Sequence, residues 1–296
     1  MSTFGPQKST IDRVRNTESR AVFRVADLIA PRFIGRRARD LWFTVPPQMA
    51  PAPLPPGGDP FTVNSQGADV HGHVYGEGPV VYLVHGWGGR GSQLASFITP
   101  LVATGHRVVL FDAPAHGDSP HGPAGPGRTH GVEFARALDA VFALFGPAEA
   151  VIAHSMGAIA TYLSLRYGWL GTKRLVLIAP MVQAQSLFDR FQATLGFGDR
   201  SRRAFDREAD AFVGLPLVEF DALVQASYID PVPTLVVHDV GDRQTPYADA
   251  ERLAGGLPDA RMVTTQGLGH RRILRDPQVI AGVTDFVRSG DQAAVA

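Results

Sequence analysis

The sequence predicts an α/β fold: a mostly parallel central sheet with helices on both faces, plus a small helical cap inserted late in the chain. Three observations predict it. Short β-branched runs alternate with longer helix-like segments from residue 80 onward. The runs are apolar at nearly every position, as strands covered on both faces must be. Glycine, histidine or aspartate follows most of the runs, which gathers polar chemistry at one edge of the sheet.

The bulk composition sets the frame. The chain has 296 residues, 45% of them apolar, enough for a large α/β domain or two small ones with a real core. Lys plus Arg and Asp plus Glu balance at 28 each, so no global attraction to nucleic acid or to an acidic surface is expected. There are no cysteines, which removes disulfides, thiolate metal sites and cysteine nucleophiles. The start, MSTFGPQKST, has no basic residue followed by an apolar run, so it does not read as a secretory signal. No stretch approaches the roughly 18 apolar residues of a membrane span. The expectation is a soluble cytoplasmic protein without an integral membrane segment.

Residues 1–60 form the first region, a helical extension followed by a linker. The first 45 residues carry nine Lys/Arg against four Asp/Glu. Val22, Val25, Ala26, Ile29 and Phe33 recur at helical spacing, interrupted by Pro31. Such a segment serves either as an interaction arm or as a helix packed on the domain, and a helical apolar stripe favours packing. PPQMAPAPLPPGGDP (46–60) then reads as an extended or irregular linker.

The core is expected over 61–180 and 231–290. Its strands are 80–84, 108–111, 150–153, 175–179, 234–238 and 260–265. Its helices are 92–104, 130–145, 156–168, 246–255 and 277–288. The rhythm breaks over 181–230, too long for an ordinary crossover. This insert carries helical stretches and Phe188, Phe191, Phe197, Phe205, Phe212 and Phe220. Its place after a strand of a parallel sheet suits a small cap. The phenylalanines either line an apolar acyl pocket or anchor the cap.

The residues after the strands carry the chemistry. In AHSMGA (153–158), Ser155 stands between a strand and a helix. It is either the N-cap of the helix or a nucleophile on a sharp turn. Ala153 and Gly157 flank it with the small side chains that a close strand–helix approach demands. A serine hydroxyl needs a base. His270, in the glycine-rich loop after the last strand, is a candidate. An acid must then orient the histidine. Asp242 stands one strand earlier and far enough out to reach across, while its rival Asp239 follows the strand directly and suits a turn.

The order Ser155, Asp242, His270, together with HGWGG (85–89), FDAPAHGDS (111–119), AHSMGA (153–158), HDVGD (238–242) and GLGH (267–270), resembles the α/β-hydrolase family over about residues 61–288. The family usually has glycine at the position of Ala153, and alanine is the mildest departure. The resemblance implies a serine carboxylesterase-like enzyme with Ser155 as nucleophile, His270 as base and Asp242 as its orienting acid. It implies an oxyanion hole from the backbone N–H groups of Met156 and Trp87, with Gly88 as the alternative to Trp87. His85 and His116 match positions that organise loops, Asp112 braces the loop after its strand, and His154 packs or hydrogen-bonds locally.

The implied reaction is cleavage of a small-molecule carboxylic ester of short to medium acyl chain through an acyl-enzyme, without metal or other cofactor. A homo-oligomer is compatible with it. A thioesterase, lipase, perhydrolase or C–C hydrolase would use the same residues, and a non-catalytic binding protein would keep the fold. Epoxide hydrolase and haloalkane dehalogenase chemistry is disfavoured, because relatives doing it carry Asp at the Ser155 position. His71-Gly72-His73 invites a metal reading, but no third ligand has matching spacing. Gly86-Trp87-Gly88-Gly89 lacks the lysine and the spacing of a phosphate loop.

Overall fold

The computed structural model describes residues 27–47 and 50–289. They divide into two compact units. One comprises the described residues up to Phe43 together with Ala184–Val218, and the other Thr44–Gln183 together with Glu219 onward.

The larger unit holds one eight-stranded sheet. Its strands are β1 (Asp59–Ser65), β2 (Ala68–Tyr75), β3 (Val80–Val84), β4 (Arg107–Phe111), β5 (Ala148–His154), β6 (Leu175–Ile178), β7 (Thr234–Asp239) and β8 (Ala260–Thr265). They lie in the order β1-β2-β4-β3-β5-β6-β7-β8. β3 to β8 run parallel; β1 and β2 are antiparallel to each other, and β2 is antiparallel to β4. Every residue of β3, β6 and β7 is buried, as expected of strands covered on both faces. Val81, Leu83, Ile152, Val176, Ile178 and Val237 project from the sheet into a cluster with Leu94, Phe97, Leu101, Val283 and Phe286.

The β1–β2 hairpin is not among the expected strands. Asp59, Pro60 and Asn64 disguise β1, and β1 begins inside the stretch read as linker. Ser65 pairs with Ala68, so Gln66-Gly67 is a two-residue turn. Both turn residues have positive φ, 54° and 86°, as such hairpins require. The helices around the sheet are α2 (Ile98–Ala103), α3 (Gly131–Phe145), α4 (Met156–Arg166), α7 (Ala222–Ala226), α8 (Tyr247–Gly256), α9 (Gly269–Arg272) and α10 (Pro277–Ser289). The single helix expected over 92–104 is instead a 3₁₀ turn, Gly91–Phe97, followed by α2. Pro100 falls in the first turn of α2, where its missing N–H has no partner to lose.

The smaller unit contains α1 (Pro31–Phe43), α5 (Ala184–Leu195) and α6 (Asp199–Val213). Pro31 interrupts the helical run as expected: residues 27–29 are helical, Ala30 is not, and a new helix begins at Pro31, whose fixed φ suits the first helical position. The expected packing stripe is corrected. Ile29 and Phe33 are exposed, 79% and 58%, while Ile34, Gly35, Ala38 and Phe43 are buried. Val22, Val25 and Ala26 lie outside the described residues. Gly35 abuts Ala204 of α6, where any Cβ would fall 2.7 Å from the Ala204 Cβ. Trp42 meets Phe188, Phe191 and Phe205 edge-on, and Phe197 joins the same cluster. Those phenylalanines form the core of this unit. Phe220 belongs to the larger unit.

The chain leaves and re-enters the larger unit through a closed neck. Gln183 bridges Asp221, and Ala222 N–H donates to the Val182 carbonyl at 2.7 Å.

Candidate active site

The sheet order reverses direction at β3. β4 lies on one side of it and β5 on the other, so the loops after β3 and β5 diverge from a switch point. Val84 pairs with Ala153, which brings His85-Gly86-Trp87 beside Ser155.

Ser155 has φ 53° and ψ −120°, outside the regions open to ordinary L-residues, and its side chain makes no capping hydrogen bond to α4. The N-cap reading therefore fails. The strain is held in place from both sides: Ser155 N–H donates to the Ile178 carbonyl at 3.1 Å, and its carbonyl accepts from Met181 at 3.0 Å and Ala158 at 3.1 Å. Glycines make room for the turn. A Cβ on Gly157 would lie 2.7 Å from the Val84 carbonyl oxygen, and one on Gly86 would lie 2.6 Å from the Ser155 Cβ.

Asp242 and His270 meet. His270 Nδ1 donates to Asp242 Oδ2 at 2.7 Å, and both side chains are buried. Asp242 Oδ1 accepts the N–H groups of Gln244 at 2.7 Å and Thr245 at 3.2 Å. Burial pushes the Asp242 carboxyl up, but the hydrogen bond and charge of His270 and the two N–H groups outweigh it, down to about 2. The carboxylate is thus charged across the working range, and its bond leaves the other ring nitrogen of His270 as the one to take a proton.

Asp239 does something else. Its carboxylate accepts from Gly241 N–H at 2.9 Å, Leu268 N–H at 2.8 Å and the Thr265 hydroxyl at 2.9 Å. It fastens the β7 loop to the loop that presents His270.

The loop after β3 is braced by two buried imidazoles. His85 accepts the Ala113 N–H at 3.0 Å, and His116 accepts the Gly88 N–H at 2.9 Å. Burial drives both well below the ordinary histidine value, His85 to about 4 and His116 to about 3. They stay neutral and hold backbone. The Gly88 N–H is spent on His116. Asp112 accepts the N–H groups of Gly91 at 2.7 Å and Asp118 at 2.8 Å. His71 Nδ1 bonds the Thr62 hydroxyl at 3.0 Å on the neighbouring strand.

Three features were not visible in the sequence. His154 does not bond locally: its Nε2 donates to the backbone carbonyl of His270 at 2.9 Å, and burial lowers it to about 3. Thr245 and His238 both face the Asp242 carboxylate. Each partner is distant in the chain or hidden in a loop, and no spacing rule predicts the pairing.

The comparisons agree with this geometry. A model described as "Alpha/beta hydrolase family" matches residues 81–283. The chain is 27% identical, over 72% of its length and 99% of the relative's, to a pimeloyl-[acyl-carrier protein] methyl ester esterase of Aromatoleum aromaticum (strain DSM 19018 / LMG 30748 / EbN1). Among solved structures it resembles the esterase RhEst1 from Rhodococcus sp. ECU1013, with TM-score 0.59 and 18% identity over 78% of this chain and 98% of that one. It also resembles a thioesterase domain from the curacin biosynthetic pathway, with TM-score 0.57 and 19% identity over 78% of this chain and 99% of that one. At that identity the solved structures speak for the fold. Among the described residues no helix is long and apolar enough to cross a membrane. With the sheet order, the strained turn after β5 and a family match across most of the core, the chain belongs to the alpha/beta hydrolase family.

Proposed function

We infer that the protein is a serine esterase that cleaves carboxylic esters of short to medium acyl chain through an acyl-enzyme. The observation that carries this reading is Ser155, held at a strained φ with its hydroxyl unused as a cap, on the sheet edge that also holds the Asp242–His270 pair.

The reading implies the following steps. Ser155 Oγ attacks the acyl carbonyl carbon, and its proton passes to His270 Nε2. Asp242 holds the other ring nitrogen and stabilises the imidazolium that forms. The carbonyl oxygen becomes an oxyanion, held by the Trp87 and Met156 N–H groups at the head of α4. One such donor typically contributes about 3 kcal/mol. The tetrahedral intermediate collapses, the C–O bond breaks, and the alcohol leaves with the proton from His270. Water then attacks the acyl-enzyme with His270 again as base, which releases the acid and restores Ser155 Oγ–H.

The relative named as a methyl ester esterase supports a small alcohol as leaving group. Residues 184–218 are inserted in the chain between β6 and β7. The test is a series of p-nitrophenyl and methyl esters from acetate to palmitate, with wild type and Ser155→Ala. The reading expects turnover peaking at short or medium chains and collapsing in the variant. Turnover that survives Ser155→Ala overturns it.

A further inference from the structure

We propose that Thr245, anchored by His238, is a positioning residue that donates a second hydrogen bond to Asp242 Oδ2 and thereby sets the basicity of His270. The proposal deepens the esterase reading and rests on it.

The protons and acceptors around Asp242 Oδ2 decide where the Thr245 hydroxyl points. Asp242 Oδ1 is filled by two backbone N–H groups. Oδ2 takes the His270 Nδ1 proton at 2.7 Å and lies 3.0 Å from Thr245 Oγ1. Thr245 is buried, and its hydroxyl has one proton to give. Its neighbours are Asp242 Oδ2, the Ala179 carbonyl at 3.3 Å and His270 Nδ1 at 3.3 Å. His270 Nδ1 carries its own proton for Asp242 and is no acceptor. Of the two oxygens, the carboxylate is nearer and charged, and a charge-assisted bond outcompetes one to a neutral carbonyl. The hydroxyl therefore points at Asp242.

His238 fixes the residue that does this. Its Nε2 faces only acceptors, the Thr245 carbonyl at 3.3 Å and Asp242 Oδ2 at 3.5 Å. Its Nδ1 is buried without a partner. The ring's single proton is therefore on Nε2, where it holds the Thr245 backbone. Burial lowers the affinity of this ring for a second proton, so it stays neutral. Pro246 follows and restricts Thr245 further.

Among the described residues, several charged or titratable groups lie against or beside His270. Asp242 lies on Nδ1, with His238 behind it. His154 stacks at 4.7 Å between ring centroids and donates to the His270 carbonyl. Arg271 and Arg272 follow it in the chain. His154 and His238 are held neutral, so among the groups packed on the ring Asp242 supplies the charge that favours the imidazolium. A hydroxyl donating to the same oxygen draws part of that charge away from His270.

Thr245→Val keeps the shape and removes the donor, whereas Thr245→Ser keeps the donor. With p-nitrophenyl butyrate and the full chain, the Val variant should lose about tenfold in kcat/KM, as one lost hydrogen bond implies. Its acid limb should move to higher pH, because an uncompensated Asp242 holds the imidazolium longer. Thr245→Ser should restore both. If Thr245→Val does not fold, Thr245→Ala against Thr245→Ser gives the same contrast. An unmoved acid limb, or a Ser variant that behaves like Val, overturns the proposal, since a merely structural role lowers kcat without moving the limb. Fluorophosphonate labelling of wild type runs alongside. A labelled wild type with an unmoved limb overturns the role of Thr245 alone, and an unlabelled, inactive wild type overturns the esterase reading with it.

Discussion

Replacing Ser155 by glycine should stabilise the protein while abolishing its activity. A non-glycine residue at φ 53° and ψ −120° is held at a cost of order 1–3 kcal/mol. Glycine adopts that conformation freely, but loses about 0.5–1 kcal/mol more backbone entropy on folding. The serine side chain makes no capping bond, so none is lost. The balance favours glycine by about 1 kcal/mol. Ser155→Ala is the control, since alanine keeps the Cβ and with it the strain. Both variants should be inactive, so activity cannot confuse the comparison. The assay is equilibrium denaturation in urea, with the midpoint compared at unchanged m-value. At an ordinary N-cap glycine already outranks alanine, so the strain is read from glycine exceeding the wild-type serine, which an unstrained cap would not allow. A Ser155→Gly protein no more stable than wild type would refute the reasoning that this turn stores strain.

Four further outcomes are expected. Asp242→Asn should lower kcat by about 10³–10⁴ through the wrong His270 tautomer. Asp239→Asn should leave the pH profile in place and lower the thermal midpoint, and steady-state kinetics with a melting curve separate the two. Gly157→Val should prevent the close approach of α4 to β3, since even a Cβ would lie 2.7 Å from a carbonyl oxygen, and circular dichroism should show loss of cooperative unfolding. Stability should fall with acid below about pH 6.5. His85, His116 and His154 are driven by burial to about 4, 3 and 3, so between pH 6.5 and those values the unfolded chain binds protons that the folded one refuses. Three such groups give a slope of at most about 4 kcal/mol per pH unit near pH 5, with stability recovered as pH rises. Denaturant titrations at pH 7, 6 and 5 measure it, and a flat profile would mean these rings are not buried neutral.

Much of the parallel core was legible because burial on both faces leaves an apolar run that needs no other signal. VVYLV (80–84), buried throughout, was bounded correctly to the residue, and so was the half-exposed edge strand ARMVTT (260–265), on its β-branched residues. The β1–β2 hairpin was not, because one strand is half-exposed and carries proline, aspartate and asparagine, while its turn is Gln-Gly in place of Asn-Gly. The N-terminal stripe was misread because it was carried across the break before Pro31, and the helix that begins there buries Ile34, Gly35 and Ala38 in place of Phe33. In the candidate site, the position of Ser155 could be argued from Ala153 and Gly157, which stand where strand and helix must approach. The choice of Asp242 over Asp239 rested on reach, and the structure pairs Asp242 with His270. Thr245, His238 and the His154 bond to the His270 backbone were hidden, because they depend on how three loops converge and not on any spacing along one of them.

The most direct test of the central claim is intact-mass and peptide mapping after reaction with a fluorophosphonate. The account predicts one adduct per chain, on Ser155, formed faster as pH rises through the acid limb of esterase activity. No adduct, or an adduct on another serine with Ser155 unmodified, would contradict it.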